Sequence, residues 1–296
     1  MPLQTAKLRR FYPYFALTVG LLGLGLAAIF VYWANAPGTV VSFYRMGIAF
    51  VLATLPFLNR QRTRKERSFQ RGIPFAVAGG TLFGLEIALW SAGIGMSSAT
   101  NPTLMVNTAP LWVGLGAWLI FREKLGWQFW VGLFIALVGV TLVLVNDVMQ
   151  AAQVGMGTFL GLLAGVFYGA YFLVTQRGRE YLSTISYFWV ATLSGLVFLT
   201  LANLILRIPI TGYSNFTYLN LLALGVFVHF IGWMALNYAM GYLPATIVSP
   251  TLLGQPILVA IFASLLIGEN FTVQQIVGGC LVLVGVFIVY HSRSGE

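Results

Sequence analysis

The chain has 296 residues, 59% of them hydrophobic and only 8% charged, with a mean hydropathy of +0.88. A soluble domain carries roughly 25% charged residues to cover its surface, so this composition excludes a soluble globule and fits a chain whose solvent is a bilayer. The formal net charge of +9 raises the question of a nucleic-acid partner, which the placement of the cations answers below.

Crossing about 30 Å of hydrocarbon takes about 20 helical residues. Apolar stretches of that length recur ten times. The first five are predicted at Tyr12–Ala34, Pro37–Leu58, Ile73–Gly95, Ala99–Phe121 and Leu125–Val145. The second five are predicted at Met156–Gln176, Ser183–Leu206, Thr217–Gly241, Ala245–Ile267 and Phe271–Tyr290. The basic start of the first span and the sequence Ala34-Asn35-Ala36 resemble a signal peptide. The apolar stretch is longer than a typical signal core, however, and no soluble segment follows, so it reads as a retained helix.

An even number of spans places both termini on one side. With that side cytoplasmic, fourteen of the sixteen Lys and Arg residues lie inside, including the run Arg60, Arg62, Arg64, Lys65, Arg67 and Arg71. Only Arg207 falls in an outside loop, and Arg45 lies within a span. Such asymmetry follows the positive-inside rule. The charge is therefore an orientation signal and calls for no nucleic acid.

A shift of 146 residues superimposes spans four and five on spans nine and ten without a gap. Ala99-Thr100 falls on Ala245-Thr246, Pro110 on Pro256, Glu123 on Glu269, Gly132 on Gly278 and Gly139 on Gly285. About a third of the positions from Ser98 to Thr141 are identical in this register. The chain divides into a first five-helix repeat over residues 1–150, with a cytoplasmic N-terminus, and a second over 151–296, with a cytoplasmic C-terminus. Five is odd, so the second repeat is inverted, an arrangement that marks secondary transporters. The fold class expected is an all-α integral membrane protein of ten transmembrane helices in two inverted five-helix repeats.

With its ten spans, its duplication and its paired segments Pro110–Glu123–Gly139 and Pro256–Glu269–Gly285, the chain resembles EamA-type transporters of the drug/metabolite transporter superfamily. Arg45 also stands where that family often has an arginine. The resemblance implies export of small metabolites, commonly amino acids, across the bacterial inner membrane by alternating access through a central cavity between the repeats. The aromatic content is most similar to exporters of aromatic and other hydrophobic amino acids.

Ionisable residues inside a membrane cost several kcal/mol, so each requires a reason. Three fall within spans: Arg45, Glu86 and His229. In the repeat register His229 corresponds to Phe83, one turn from Glu86, which predicts a polar pair in one cavity. Such a pair would orient a zwitterionic substrate or carry a proton. The alternative is that each bonds a neighbouring backbone group and packs. Arg45 reads as a pin between helices. Trp90 and Trp233 each stand four residues after one of the polar pair, on the same helical face. Tyr168 and Tyr171 extend the expected lining, as do Asn101 and Thr108 in span four. A cavity so lined suits an amphipathic organic molecule.

Pro110 and Pro256 each remove a helical hydrogen bond, which makes a hinge or a static kink at those points. Gly157, Gly161, Gly165 and Gly169 form a ridge on span six that reads as a close packing surface. Glu123 and Glu269 read as favourable charges at helix N-termini. The lone Cys280 excludes an internal disulfide and any Cys-based metal site, and His229 and His291 lie too far apart in sequence for a metal motif. No phosphate-binding GxxxxGK[ST] loop, HExxH motif or Ser–His–Asp set occurs, so neither ATP, a metal nor another cofactor is expected. One intramembrane cation is too few for a phosphate-ester carrier. The partners expected are a small organic solute, the bilayer and protons as a candidate coupling ion. Two rival functions are an intramembrane enzyme using His229 and Glu86 as an acid–base pair and a passive channel.

Overall fold

The structure is a computed structural model that describes residues 2–63, 68–96, 100–144, 155–268 and 272–294. Glu269 lies outside the described residues, as do Arg64, Lys65 and Arg67. Every regular element among the described residues is helical. The first half holds α1 (Pro2–Ala34), α2 (Gly38–Thr63), α3 (Phe69–Met96), α4 (Thr100–Val106), α5 (Ala109–Leu119) and α6 (Trp127–Val143). The second holds α7 (Met156–Arg179), α8 (Thr184–Ile205), α9 (Asn215–Ala223), α10 (Met234–Ala239), α11 (Ala245–Thr251), α12 (Gln255–Ile267) and α13 (Val273–Ser294). Leu224–Trp233 joins α9 to α10 as a π-helical stretch, and a 3₁₀ turn at Leu252–Gly254 joins α11 to α12.

Eight of these helical stretches are long and apolar enough to cross a membrane, against the ten expected. The two that differ are adjacent. Expected span four is broken into the seven-residue α4 and the eleven-residue α5, and expected span five is the 17-residue α6. The break in span four has a local cause. Pro110 is the second residue of α5 and supplies no N–H to the preceding turn, so the helix restarts there. Pro256 is likewise the second residue of α12, after the 3₁₀ turn. Both prolines therefore open a new helical segment at equivalent positions of the repeat.

The turns after α5 and α12 are also alike. Arg122 has φ +56° and Gly268, its partner in the register, has φ +80°. Glycine enters this left-handed region without steric penalty, whereas Arg122 does so against one.

By contacts the chain forms two compact units, Met1–Thr81 with Val174–Val248 and Leu82–Leu173 with Ser249–Glu296. Each draws on both halves of the sequence.

In the first unit α2 and α8 run antiparallel. Thr39 Oγ1 donates to Asn203 Oδ1 (2.7 Å), Trp189 Nε1 to Thr54 Oγ1 (3.0 Å) and Gln61 Nε2 to Ser186 Oγ (3.4 Å). Ascending numbers on α2 thus meet descending numbers on α8. α1 packs on the π-helical stretch, where a Cβ on Gly23 would stand 3.2 Å from Gly232 Cα.

In the second unit α6 and α13 pack with almost no side chain between their backbones. A Cβ on Gly132 would stand 2.8 Å from the Gly285 carbonyl oxygen, and one on Gly139 would stand 2.6 Å from that of Gly278. Around this contact Phe129, Leu133, Ala136, Val140, Leu253, Val282 and Val289 form a buried apolar cluster. The glycine ridge of α7 lies along the broken span: Gly161 faces Pro102, Gly165 faces Met105 and Thr108, and Gly169 faces Ala109 and Trp112. The ridge is a packing surface.

Candidate transport site

Most of the residues singled out in the sequence fall in the second unit: Glu86, Trp90, Asn101, Thr108, Pro110, Tyr168, Tyr171 and Pro256. α3 carries Phe83, Glu86 and Trp90 at spacings that place all three on one helical face. At one end of that face, buried Phe83 packs on Tyr168 and Tyr171, with ring centroids 6.4 and 5.1 Å away. The two tyrosines stack on each other at 6.2 Å. At the other end Trp90 Nε1 donates to Thr103 Oγ1 at 3.0 Å, tying α3 to α4. Glu86 sits between these two anchors and is 7% exposed.

The broken span is polar where its helices part. Asn107 Nδ2 donates to the Thr103 carbonyl at 2.9 Å, and Thr108 Oγ1 to the Met105 carbonyl at 2.6 Å. Trp112 Nε1 in turn donates to Thr108 Oγ1 at 3.2 Å. The same two carbonyls also accept backbone N–H groups, from Asn107 at 3.2 Å and Thr108 at 3.0 Å, so the side chains add second donors beside the helix break. Asn101 stands half-buried in α4, two residues before Thr103. The result is a strip of indoles, hydroxyls and an amide, with a carboxyl and two phenols on the neighbouring helices.

His229 and Trp233 lie in the first unit, both 3% exposed and both in the π-helical stretch. Their ring centroids are 6.3 Å apart, and Phe188 stands 5.7 Å from the imidazole. Arg45 lies within electrostatic reach of His229.

Three features of the structure were not evident from the residues alone. Thr103 is the acceptor that holds Trp90. Glu123, in the turn before α6, accepts from Arg293 Nη2 at 2.7 Å, and the two side chains are 17% and 11% exposed. Arg179 joins three chain segments: it donates to the carbonyls of Asn237 (2.8 Å) and Leu182 and to Thr184 Oγ1 (2.8 Å). Among the described residues no group of three or more His, Cys, Asp or Glu side chains is gathered as a metal site would need.

The fold and the helix breaks define a duplicated, all-helical, multi-pass membrane protein. A solved crystal structure with 16% sequence identity superimposes with a TM-score of 0.80, covering 95% of this chain and 98% of that one. The EamA-like transporter family matches twice, over residues 10–145 and 155–291. The chain belongs to this family and is a membrane transporter.

Relatives agree. An uncharacterized transporter of Archaeoglobus fulgidus is 24% identical over 277 residues, covering 93% of this chain and 95% of the relative. The uncharacterized transporter YdfC of Bacillus subtilis is 28% identical over 200 residues, covering 65% of this chain and 63% of YdfC. One from Methanothermobacter thermautotrophicus is 27% identical over 215 residues, covering 68% of this chain, which spans 60% of that relative's length.

Proposed function

We propose that the protein is a secondary transporter that exports small organic metabolites, foremost amino acids with aromatic or other hydrophobic side chains, from the bacterial cytoplasm across the inner membrane by alternating access. The observation that carries this reading is the antiparallel pairing of α6 with α13. These are equivalent helices of the duplicated chain, and Gly132 meets Gly285 while Gly139 meets Gly278. Equivalent helices that run in opposite directions are what an inverted repeat produces, and inverted repeats support transport by moving one set of helices against another around a site near the midplane. On this reading α4 with α5 forms one span and α6 another, which brings the total to ten.

Substrate chemistry rests on the polar strip of the second unit. The Glu86 carboxyl faces the ammonium group of an amino acid or carries the coupling proton. Trp90, Tyr168 and Tyr171 give an aromatic side chain flat surfaces to stack on. Asn101 and Thr108 offer hydrogen bonds to the substrate carboxylate, and the breaks at Pro110 and Pro256 are the hinge. His229 and Trp233 serve as their pseudo-equivalents from the second repeat.

Counterflow in proteoliposomes tests this. Internal unlabelled phenylalanine or tryptophan is expected to accelerate entry of the labelled amino acid. Uptake without trans-stimulation would make the protein a channel, and chemical conversion without flux would make it an enzyme.

A further inference from the structure

We propose that Ser249 is a contact of the transported solute, its hydroxyl donating to the solute's carboxylate. The inference rests on the transport reading above and adds a residue of the second repeat to that site. Ser249 lies in α11, the first piece of the broken span nine, next to Pro250 and three residues before the 3₁₀ turn at Leu252–Gly254. It belongs to the second unit, as do Glu86, Trp90, Asn101 and Thr108.

Ser249 is 2% exposed, and among the described residues no hydrogen-bond partner reaches its Oγ. A helical hydroxyl can turn back to the carbonyl one turn earlier, and others in this chain do so. Thr54 donates to the Phe50 carbonyl (2.7 Å), Thr141 to that of Leu137 (2.9 Å) and Thr200 to that of Leu196 (2.7 Å). Ser249 makes no such bond to the Ala245 carbonyl. A buried hydroxyl left unbonded carries a standing free-energy cost, and natural chains keep such costs chiefly at functional sites.

The duplication sharpens this. In the 146-residue register Ser249 corresponds to Thr103, whose Oγ1 accepts from Trp90 Nε1 at 3.0 Å. Trp90 corresponds to Leu236, which has no donor to offer. One position of the repeat is thus an internal tie in the first copy and is left for a ligand in the second. Interrupted helices are where inverted-repeat transporters hold their substrates. Span nine carries no charged side chain from Ala245 to Ile267, so its own side chains recognise a solute by hydrogen bonds and not by ion pairing.

The chemistry of a hydroxyl selects the carboxylate. Accepting from an ammonium group would still leave the O–H of Ser249 unbonded in a buried place. Donating to a carboxylate satisfies that hydrogen, and a bond to a charged acceptor is shorter and stronger than one between neutral groups.

The test compares wild type with Ser249→Ala in counterflow of labelled phenylalanine in proteoliposomes. The competitors are 3-phenylpropionate, which keeps only the carboxylate, and 2-phenylethylamine, which keeps only the amine. Ser249→Ala is expected to raise KM for phenylalanine and the inhibition constant of 3-phenylpropionate about tenfold or more, the factor of one hydrogen bond to a charged group. Inhibition by 2-phenylethylamine is expected to be unchanged. Thermal unfolding of the solute-free protein in detergent is the second readout: loss of an unbonded hydroxyl is expected to leave Tm unchanged or higher. A lower Tm, or failure to fold, would make the hydroxyl a packing group and overturn the inference. An unchanged KM for phenylalanine would overturn it too, as would an equal loss for 2-phenylethylamine. All of these leave wild-type counterflow intact, whereas no phenylalanine counterflow by the wild type would overturn the amino-acid reading and this inference with it.

Discussion

Gly132 of α6 and Gly285 of α13 approach so closely that a methyl group on Gly132 would stand 2.8 Å from the Gly285 carbonyl oxygen. The relationship is reciprocal. In the 146-residue register Gly132 corresponds to Gly278 and Gly139 to Gly285, and the second contact is Gly139 with Gly278. Residue i meeting the equivalent of j, while j meets the equivalent of i, is the pattern that a two-fold axis imposes. Replacing any of the four by Ala is expected to destabilise by about 1–3 kcal/mol, because the clash is with backbone and no flexible side chain can yield. The reciprocity adds a sharper expectation: Gly132→Ala and Gly285→Ala in one protein should destabilise by less than the sum of the two alone, since they relieve or provoke the same separation. Thermal unfolding in detergent measures both.

Arg179 is a structural staple whose planar guanidinium reaches three acceptors. Lysine keeps the charge but lacks that fork. Arg179→Lys is expected to lose about 1–3 kcal/mol, the value of one or two charged hydrogen bonds, and Arg179→Ala more. Full stability of the lysine variant would show that the charge alone matters.

The Glu123–Arg293 pair joins the turn before α6 to the end of α13 and is mostly shielded from solvent. Arg293 also donates to the Lys124 carbonyl at 3.3 Å. A double-mutant cycle with Glu123→Gln and Arg293→Gln is expected to give a coupling of about 1–3 kcal/mol, above the range of exposed pairs because this one is mostly shielded. Additive effects would make the pair incidental.

Two substitutions separate the parts of the proposed transport strip. Glu86→Gln keeps the shape of the side chain and removes its charge. If Glu86 carries the coupling proton, the variant is expected to lose the pH dependence of flux, and an unchanged profile would leave Glu86 a packing residue. Trp90→Ala removes the indole and its bond to Thr103, and substrate affinity is expected to fall about tenfold, since an aromatic stacking partner contributes about 0.5–1.5 kcal/mol beyond its buried area. Wild-type affinity in a folded variant would remove Trp90 from the site.

The membrane class, the helical segments and the duplication were legible in the sequence because each is written in local composition. Length and hydropathy mark a span, and Pro110, Gly132 and Gly139 have visible counterparts 146 residues on. The unusual backbone was not legible. Nothing in the run Leu224–Trp233 announces a π-helical winding, and its close neighbours, Ile48 at Gly225 and Gly23 at Gly232, come from distant helices. The partner of Glu123 was hidden for a related reason: Arg293 lies 170 residues away, and an ion pair at that separation leaves no local pattern. The aromatic anchors Trp90, Tyr168 and Tyr171 were recognisable as types, but only the folded helices reveal that Thr103 and Phe83 are what hold them.

The account rests on the second repeat entering the membrane from the opposite side to the first, and accessibility of equivalent positions tests that most directly. Gly126 and Thr272 are equivalent in the register and precede α6 and α13. Cys280 is exposed and is first replaced by alanine, after which Gly126→Cys and Thr272→Cys are labelled singly with a membrane-impermeant maleimide in sealed cells and in inverted vesicles. Gly126→Cys is predicted to react in inverted vesicles and Thr272→Cys in sealed cells. Reaction of both from the same side would contradict the inverted repeat and the transport mechanism built on it.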